Sequence, residues 1–123
     1  MAEDIQEFFK TLLPTVDGLE GILVTDRDGI PIVKSTMTSI PLPATKPGFL
    51  ATFSLASEQG GKLGLSHNTA IVSMYSGHQL VQFNHHPLMV TLIARDTANT
   101  GSLMGLENEI LAAIKDLKIA VET

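Results

Sequence analysis

The segment "VTDRDGIPIV", residues 24–33, places two aspartates and an arginine between two apolar runs. Two carboxylates that flank an arginine could bind a metal ion or a substrate, but no histidine or third acid stands nearby to complete such a site. Asp28-Gly29 between apolar runs is typical of a hairpin, because glycine adopts positive φ without steric penalty. We therefore predict that Asp26, Arg27 and Asp28 are solvated hairpin residues.

Histidines are the next residues that could carry chemistry, and the chain has four of them: His67, His78, His85 and His86. They form neither an i, i+4 pair on a helix nor a mixed cluster with carboxylates, the two patterns that metal sites favour. We interpret them as turn and strand-end residues.

Two glycine-containing segments could bind an anion. "EQGGKLGLS" lacks the spacing of a phosphate-binding loop and follows a predicted helix, so Gly60 and Gly61 are better explained as a helix C-cap. In "ANTGS", Asn99, Thr100 and Ser102 are residues that commonly cap a following helix. We predict no catalytic, cofactor-binding or metal-binding residues, and therefore no enzyme.

Composition limits the classes of partner. The chain has 123 residues, 44% of them hydrophobic, a formal net charge of -5 and no cysteine. This length fits a single domain, residues 1–123. Eight Lys and Arg residues provide no dense basic face for nucleic acid or anionic lipid. The absence of cysteine fits a reducing compartment, so the default location is the cytosol. No apolar run has the roughly 20 residues needed to span a bilayer, so any membrane attachment is expected to be indirect, through a partner.

Hydrophobic periodicity predicts the element order α-β-β-α-β-β-β-α. Helices are expected at residues 4–13, from Pro47 to about Gln59, and from Leu103 to Leu117; hairpins are expected at Asp28-Gly29 and Ser76-Gly77, and a central strand at residues 87–95. In the first helix, the predicted core stripe is Ile5, Phe8, Phe9, Leu12 and Leu13. The fold class is α+β, an antiparallel five-stranded sheet with helices on both faces.

Two apolar surfaces are not buried by any predicted element of the chain. Residues 68–83 have strong β propensity but no Asp, Glu, Lys, Arg or Pro, the residues that normally protect an edge strand. Such a strand either lies in the middle of the sheet or pairs, over residues 69–75, with another subunit. The second helix is apolar on two sides, and Leu55 lies on the side that does not face the sheet. Both surfaces favour a binding module.

Several stretches carry a family resemblance: "LPTVDGLEGILVTDRDGIPIVK", "KPGFLATFSLASEQGGKLGLS", "VQFN" and "ANTG". They resemble the roadblock family, and within it the scaffold subunits that partner MEK in the Ragulator complex. The similarity extends over most of the chain and is least certain from Ser35 to Lys46. "NHHPL", residues 84–88, departs from the pattern, so His85 and His86 receive no family role.

The resemblance implies a sheet with the middle helix on one face and the terminal helices on the other, and a heterodimer with a second roadblock subunit. It further implies a scaffold on late endosomes and lysosomes, held there by a lipid-anchored subunit of the complex, that supports Rag GTPase-dependent mTOR activation and binds MEK and ERK kinases. The expected interface comprises Ala51, Thr52, Leu55, Gln59, Ile71, Val72, Ser73, Met74 and Tyr75.

Two alternatives stay open at this point. One is a homodimeric roadblock module of the dynein light-chain or GTPase-regulating type, which would form a stable two-fold dimer when purified alone. The other is an enzyme or small-ligand sensor, which would require His85, His86 or Asp96 to point into a pocket.

Overall fold

The computed structural model describes residues 2–37 and 69–122. Its elements, in chain order, are α1 (Ala2–Leu12), a 3-10 turn (Leu13–Thr15), β1 (Leu19–Thr25), β2 (Pro31–Thr36), β3 (Ala70–Met74), β4 (His78–His85), β5 (Leu88–Arg95), α2 (Thr100–Met104) and α3 (Glu107–Glu122). The helix predicted at residues 47–59 lies outside the described residues. Its predicted packing on one face of the sheet therefore stays a prediction. The single-domain assignment for residues 1–123 stays a prediction.

The strands form one antiparallel sheet in the order β2-β1-β5-β4-β3, which confirms the predicted five-stranded antiparallel sheet. β5 lies at the centre and is buried at every position except Arg95. A continuous apolar strand fits this place because side chains on both faces of β5 are buried. The strands β2 and β3 form the two edges.

The first hairpin, between β1 and β2, confirms the interpretation of the acidic turn. The Asp26 carboxylate accepts hydrogen bonds from the backbone N–H groups of Asp28 and Ile30, at 2.9 and 3.0 Å. Gly29 has a φ of 80°, which glycine adopts without strain. The side chains of Arg27 and Asp28 are exposed. Asp26 therefore closes the turn, and Arg27 and Asp28 are exposed to solvent, as predicted.

The terminal helices α1 and α3 pack on the same face of the sheet. Phe9 of α1 and Ile114 of α3 are completely buried there, together with Val24 and Leu92 of the sheet. The prediction that Phe8 belongs to the same stripe is wrong, because its side chain is 36% exposed. Successive helical residues are rotated by about 100°, so Phe8 lies on the flank when Phe9 points directly at the sheet.

The single C-terminal helix that we predicted is in fact two helices. α2 is capped by Asn99, whose side-chain oxygen accepts a hydrogen bond from the Ser102 N–H at 2.9 Å, as the sequence indicated. The chain then turns at Gly105 before α3 begins. Glycine disfavours helix, and the turn allows Leu103 and Leu106 both to be buried.

Candidate interaction surface

β3 lies at the edge of the sheet and is hydrogen-bonded to β4 alone among the strands that the structure describes. The alternative of a mid-sheet strand is therefore wrong. Ile71, Val72, Ser73 and Met74 lie within the strand, whereas Tyr75 lies one residue beyond its end, in the hairpin with Gly77. No charged residue and no proline interrupts this edge.

The backbone of β3 has one set of groups directed at β4 and another directed away from the sheet. Tyr75 and His78 exchange both of their backbone hydrogen bonds, and Asn84 donates to the Thr69 carbonyl at 2.9 Å. In an antiparallel pair the residues that bond to the neighbouring strand alternate along the chain. Odd-numbered residues of β3 therefore bond to β4, and the N–H and C=O groups of Ala70, Val72 and Met74 point outward.

The side chains of these residues add exposed apolar area to the edge. Val72 and Met74 are 40% and 60% exposed. Val72 pairs with the core residue Val81, so both side chains lie on the sheet face that packs against α1 and α3. At the edge strand, these helices leave them exposed. Ile71 and Ser73 are half-buried on the other face. We call residues 70–74 the β3 edge. It combines outward hydrogen-bonding groups with uncharged side chains, which is the arrangement that recruits another strand.

The opposite edge of the sheet, β2, is protected. It begins with Pro31 and carries Lys34 on its exposed side. Helix α1 also holds it, because the Gln6 side chain donates to the Lys34 carbonyl and the Ser35 hydroxyl donates to the Gln6 carbonyl, both at 2.8 Å. A proline, a lysine and a covering helix are common means of preventing strand addition. The two edges of this sheet therefore differ in their capacity to bind a strand.

The helical half of the expected interface cannot be compared with the structure. Ala51, Thr52, Leu55 and Gln59 all lie outside the described residues. Their role at the interface stays a prediction.

The three histidines that the structure describes lie in turns or at strand ends, as predicted, but two of them have acidic neighbours that sequence analysis missed. His78 begins β4, and its Nε2 lies 3.1 Å from a carboxylate oxygen of Glu20, whose side chain is only 5% exposed. Arg95 approaches the other oxygen of Glu20 at 3.7 Å. His86 is in the turn after β4, and His67 lies outside the described residues. The sheet order brings these distant residues together.

His85 ends β4 and contacts the start of α3, with its Nε2 3.0 Å from a carboxylate oxygen of Glu107. Burial lowers the pKa of His85 below its ordinary value of 6.5; the Glu107 carboxylate opposes this shift and Lys118 adds to it. The side chain is 13% exposed. The contact joins the sheet to α3.

Within residues 2–37 and 69–122 there is no group of three His, Asp or Glu side chains that could hold a metal ion. A shallow depression of about 220 Å³ lies beside the start of β1 and is lined by Asp17, Gly18, Leu19, Glu20, Met37 and Arg95. His85, His86 and Asp96 do not line it. This depression therefore lacks the three polar side chains that the enzyme or sensor alternative would place in a pocket.

Comparison with known proteins identifies the family. A family model described as mitogen-activated protein kinase kinase 1 interacting matches residues 3–121. This chain belongs to the mitogen-activated protein kinase kinase 1 interacting family. Relatives of this family member include the Ragulator complex protein LAMTOR3 of Tetraodon nigroviridis, 51% identical over 99% of this chain and 98% of that protein. The LAMTOR3 protein of Homo sapiens is 47% identical with the same coverage.

Solved structures show the same fold at low sequence identity. The gliding protein MglB of Thermus thermophilus aligns with a TM-score of 0.78 at 18% identity, covering 97% of this chain and 91% of that one. A roadblock/LC7 domain from Streptomyces avermitilis aligns with a TM-score of 0.66 at 13% identity, covering 93% and 94%. The family member described here therefore has the roadblock fold. None of its described helices is long and apolar enough to cross a membrane.

Proposed function

We propose that this chain is a non-catalytic scaffold subunit that forms a heterodimer with a second roadblock subunit. The observation that carries this proposal is the β3 edge, whose outward backbone groups and exposed Val72 and Met74 lack the protection found at β2. A strand of the second subunit that pairs with this edge extends the sheet across the interface. The predicted helix residues Ala51, Thr52, Leu55 and Gln59 pack beside it. A specific interface of this kind buries about 800 Å² per partner.

The wider role follows from the relatives that are named Ragulator complex protein LAMTOR3 and from the kinase named in the family description. We infer that the heterodimer joins the other Ragulator subunits on late endosomes and lysosomes. It supports Rag GTPase-dependent mTOR activation there and binds MEK and ERK kinases. A lipid-anchored subunit of the complex attaches it to the membrane. Such a scaffold raises the effective concentration of its binding partners, because proteins held in one complex encounter each other more often than free proteins do.

The alternative of a homodimeric dynein light-chain or GTPase-regulating module has weaker support. The structural neighbours share the fold at 18% identity or less, and fold alone does not indicate function. The relatives at 47–51% identity carry the name of a Ragulator subunit.

The test uses proline at the β3 edge. Val72→Pro removes one outward N–H, and proline is tolerated on an edge strand when its N–H would face solvent. We expect this variant to fold but to bind the second roadblock subunit about 5–150-fold more weakly, because one unmade hydrogen bond in an interface costs about 1–3 kcal/mol. Calorimetric titration measures the affinity, and circular dichroism verifies the fold.

Val72→Ala is the matched control, because it keeps the N–H and removes only side-chain area. It should weaken binding less than Val72→Pro does. Equal affinity of the proline variant and the unsubstituted chain would show that the second subunit does not bind through this strand.

A further inference from the structure

We propose that the depression beside the start of β1 binds an arginine side chain of a partner protein, at a site separate from the β3 edge. In the sheet order, β5 and β4 lie between β1 and β3. Because neighbouring strands are about 4.8 Å apart, β1 and β3 are separated by roughly 14 Å. A side chain held in the depression therefore leaves the β3 edge accessible to the second roadblock subunit.

The ends of three neighbouring strands build the depression. The Glu20 carbonyl of β1 accepts a hydrogen bond from the Met37 N–H at 2.8 Å, and the Gly18 carbonyl accepts one from the Arg95 N–H at 2.9 Å. Met37 follows β2 and Arg95 ends β5, so these two bonds hold the flanking residues on opposite sides of β1. The side chains that line the depression are therefore fixed by the backbone of the sheet.

Glu20 lies at an irregularity of β1. Leu19 pairs with Ala94 and Gly21 pairs with Ile93, so Glu20 is an extra residue of β1 relative to β5. A β-bulge of this kind changes the direction of a side chain and is common beside functional sites. Here the Glu20 carboxylate forms part of the wall of the depression, although its side chain is only 5% exposed.

The charges of the lining residues favour a basic ligand. Asp17 and Glu20 supply two carboxylates and Arg95 supplies one guanidinium, which leaves an excess of one negative charge. The Nε atom of Arg95 is 3.7 Å from Glu20, which is longer than an N–H···O hydrogen bond. The Arg95 side chain is also 64% exposed. A second guanidinium can therefore approach the two carboxylates, in competition with Arg95.

The uncharged lining residues fit the stem of an arginine. Leu19 and Met37 line the depression together with the acids, and Met37 is 49% exposed. Arginine packs its methylene stem on apolar surface while its planar head bonds to carboxylates in pairs, which the compact ammonium of lysine cannot do. The volume of about 220 Å³ corresponds to roughly seven water molecules at about 30 Å³ each. This space suits one long side chain.

The experiment uses the full chain and three small probes. N-acetyl-L-arginine methylamide represents an arginine within a peptide. N-acetyl-L-citrulline methylamide has nearly the same shape without the charge, and free arginine adds an ammonium and a carboxylate. Each probe is titrated into the isotopically labelled chain, and the backbone amide signals of Gly18, Leu19 and Arg95 are followed by NMR. The concentration dependence of the shifts gives the dissociation constant.

Two substitutions should change the affinity for the arginine derivative in opposite directions. Asp17→Asn removes an attracting charge and should weaken binding about 1.5–5-fold, whereas Arg95→Gln removes a competing cation and should strengthen binding about 1.5–5-fold. Asp116→Asn and Arg27→Gln are the matched controls, because they change the net charge equally at exposed residues that do not line the depression. Both controls should bind as the unsubstituted chain does. Urea denaturation verifies that each variant is folded.

We expect saturable shifts of the three amides with the arginine derivative and no saturable shifts with the citrulline derivative. Absence of saturable binding, equal binding of the citrulline derivative, or weaker binding by a folded Arg95→Gln variant would overturn the proposal. Tighter binding of free arginine than of the peptide-like derivative would also overturn it, because the ligand would then be the amino acid. Val72→Pro should bind the arginine derivative normally, which separates this site from the proposed heterodimer.

Discussion

At the scale of single residues, the buried acid Glu20 contacts basic side chains from two neighbouring strands. Its carboxylate lies in contact with His78 and near Arg95, residues that belong to two other strands. Burial of a carboxylate is costly unless partners compensate for the lost water. His78 is therefore a structural residue, although it stands close in sequence to the β3 edge.

Replacement of His78 by alanine should lower the stability of the fold without changing the binding of the second subunit. We expect His78→Ala to lower the free energy of unfolding by about 1–3 kcal/mol, because a buried carboxylate loses a partner. Binding of the second roadblock subunit should not change. Urea denaturation and calorimetric titration measure the two quantities. His86→Ala is the control, because His86 is exposed in the turn after β4. Equal stabilities of the two variants would contradict the role given to the contact with Glu20.

His85 makes stability depend on pH. Burial lowers the pKa of His85 in the folded chain below 6.5, so the unfolded chain binds more protons as pH falls through that value. Folding stability is therefore greatest above pH 6.5 and declines below it, until the folded histidine is protonated too. We expect a smaller decline for His85→Asn when unfolding free energy is measured by urea between about pH 5 and 8.

Unfolding free energy is compared as a function of pH between the unsubstituted chain and His85→Asn. The difference separates the contribution of His85 from that of the other histidines. Glu107 and Lys118 face the imidazole in both states of protonation and act in opposite directions. If the stability of the unsubstituted chain relative to His85→Asn fell as pH rose, the result would contradict the lowered pKa of His85.

At the scale of elements, the described sheet shows where sequence analysis succeeds. Strand β5, the hairpin at Asp28-Gly29 and the cap at Asn99 all match their predictions. Each depends on a short-range signal: an apolar run, a turn glycine or a capping side chain. The division of the last helix into α2 and α3 was missed because the helical pattern of leucines continues across Gly105.

The predicted middle helix supplies a test on a second element of the interface. Leu55→Asp should abolish heterodimer formation, because it places a charge in an apolar contact. Leu55→Met keeps the volume and the apolar character and should bind as the unsubstituted chain does. Calorimetric titration with the second roadblock subunit compares them. Unchanged affinity for Leu55→Asp would rule out this side of the helix as interface.

At the scale of the whole molecule, the sheet presents one protected and one unprotected edge. β2 is held by α1 and carries Pro31 and Lys34, whereas β3 leaves three residues with outward backbone groups. This asymmetry makes the sheet extendable in one direction only. In the proposed heterodimer, the second subunit would therefore add at β3 and not at β2.

The proposed attachment to late endosomes through a partner predicts a change of location in cells. A fluorescent fusion of the unsubstituted chain should coincide with a lysosomal marker. The Val72→Pro fusion should be more diffuse, because a smaller share of it enters the complex that holds the lipid anchor. Val72→Ala serves again as the control. A Val72→Pro fusion that stays on lysosomes without binding the second subunit would show a different route to the membrane.

The sequence by itself determined the strand periodicity, both hairpins and the family, because these depend on residues that are close along the chain or on direct similarity. It left the position of β3 undecided between the centre and the edge of the sheet. Only the tertiary structure decided that β3 is an edge, that Ala70, Val72 and Met74 direct their backbone groups outward, and that Glu20 meets His78 and His85 meets Glu107. The physical reason is that strand order and long-range contacts arise from packing of the whole chain, which local patterns do not encode.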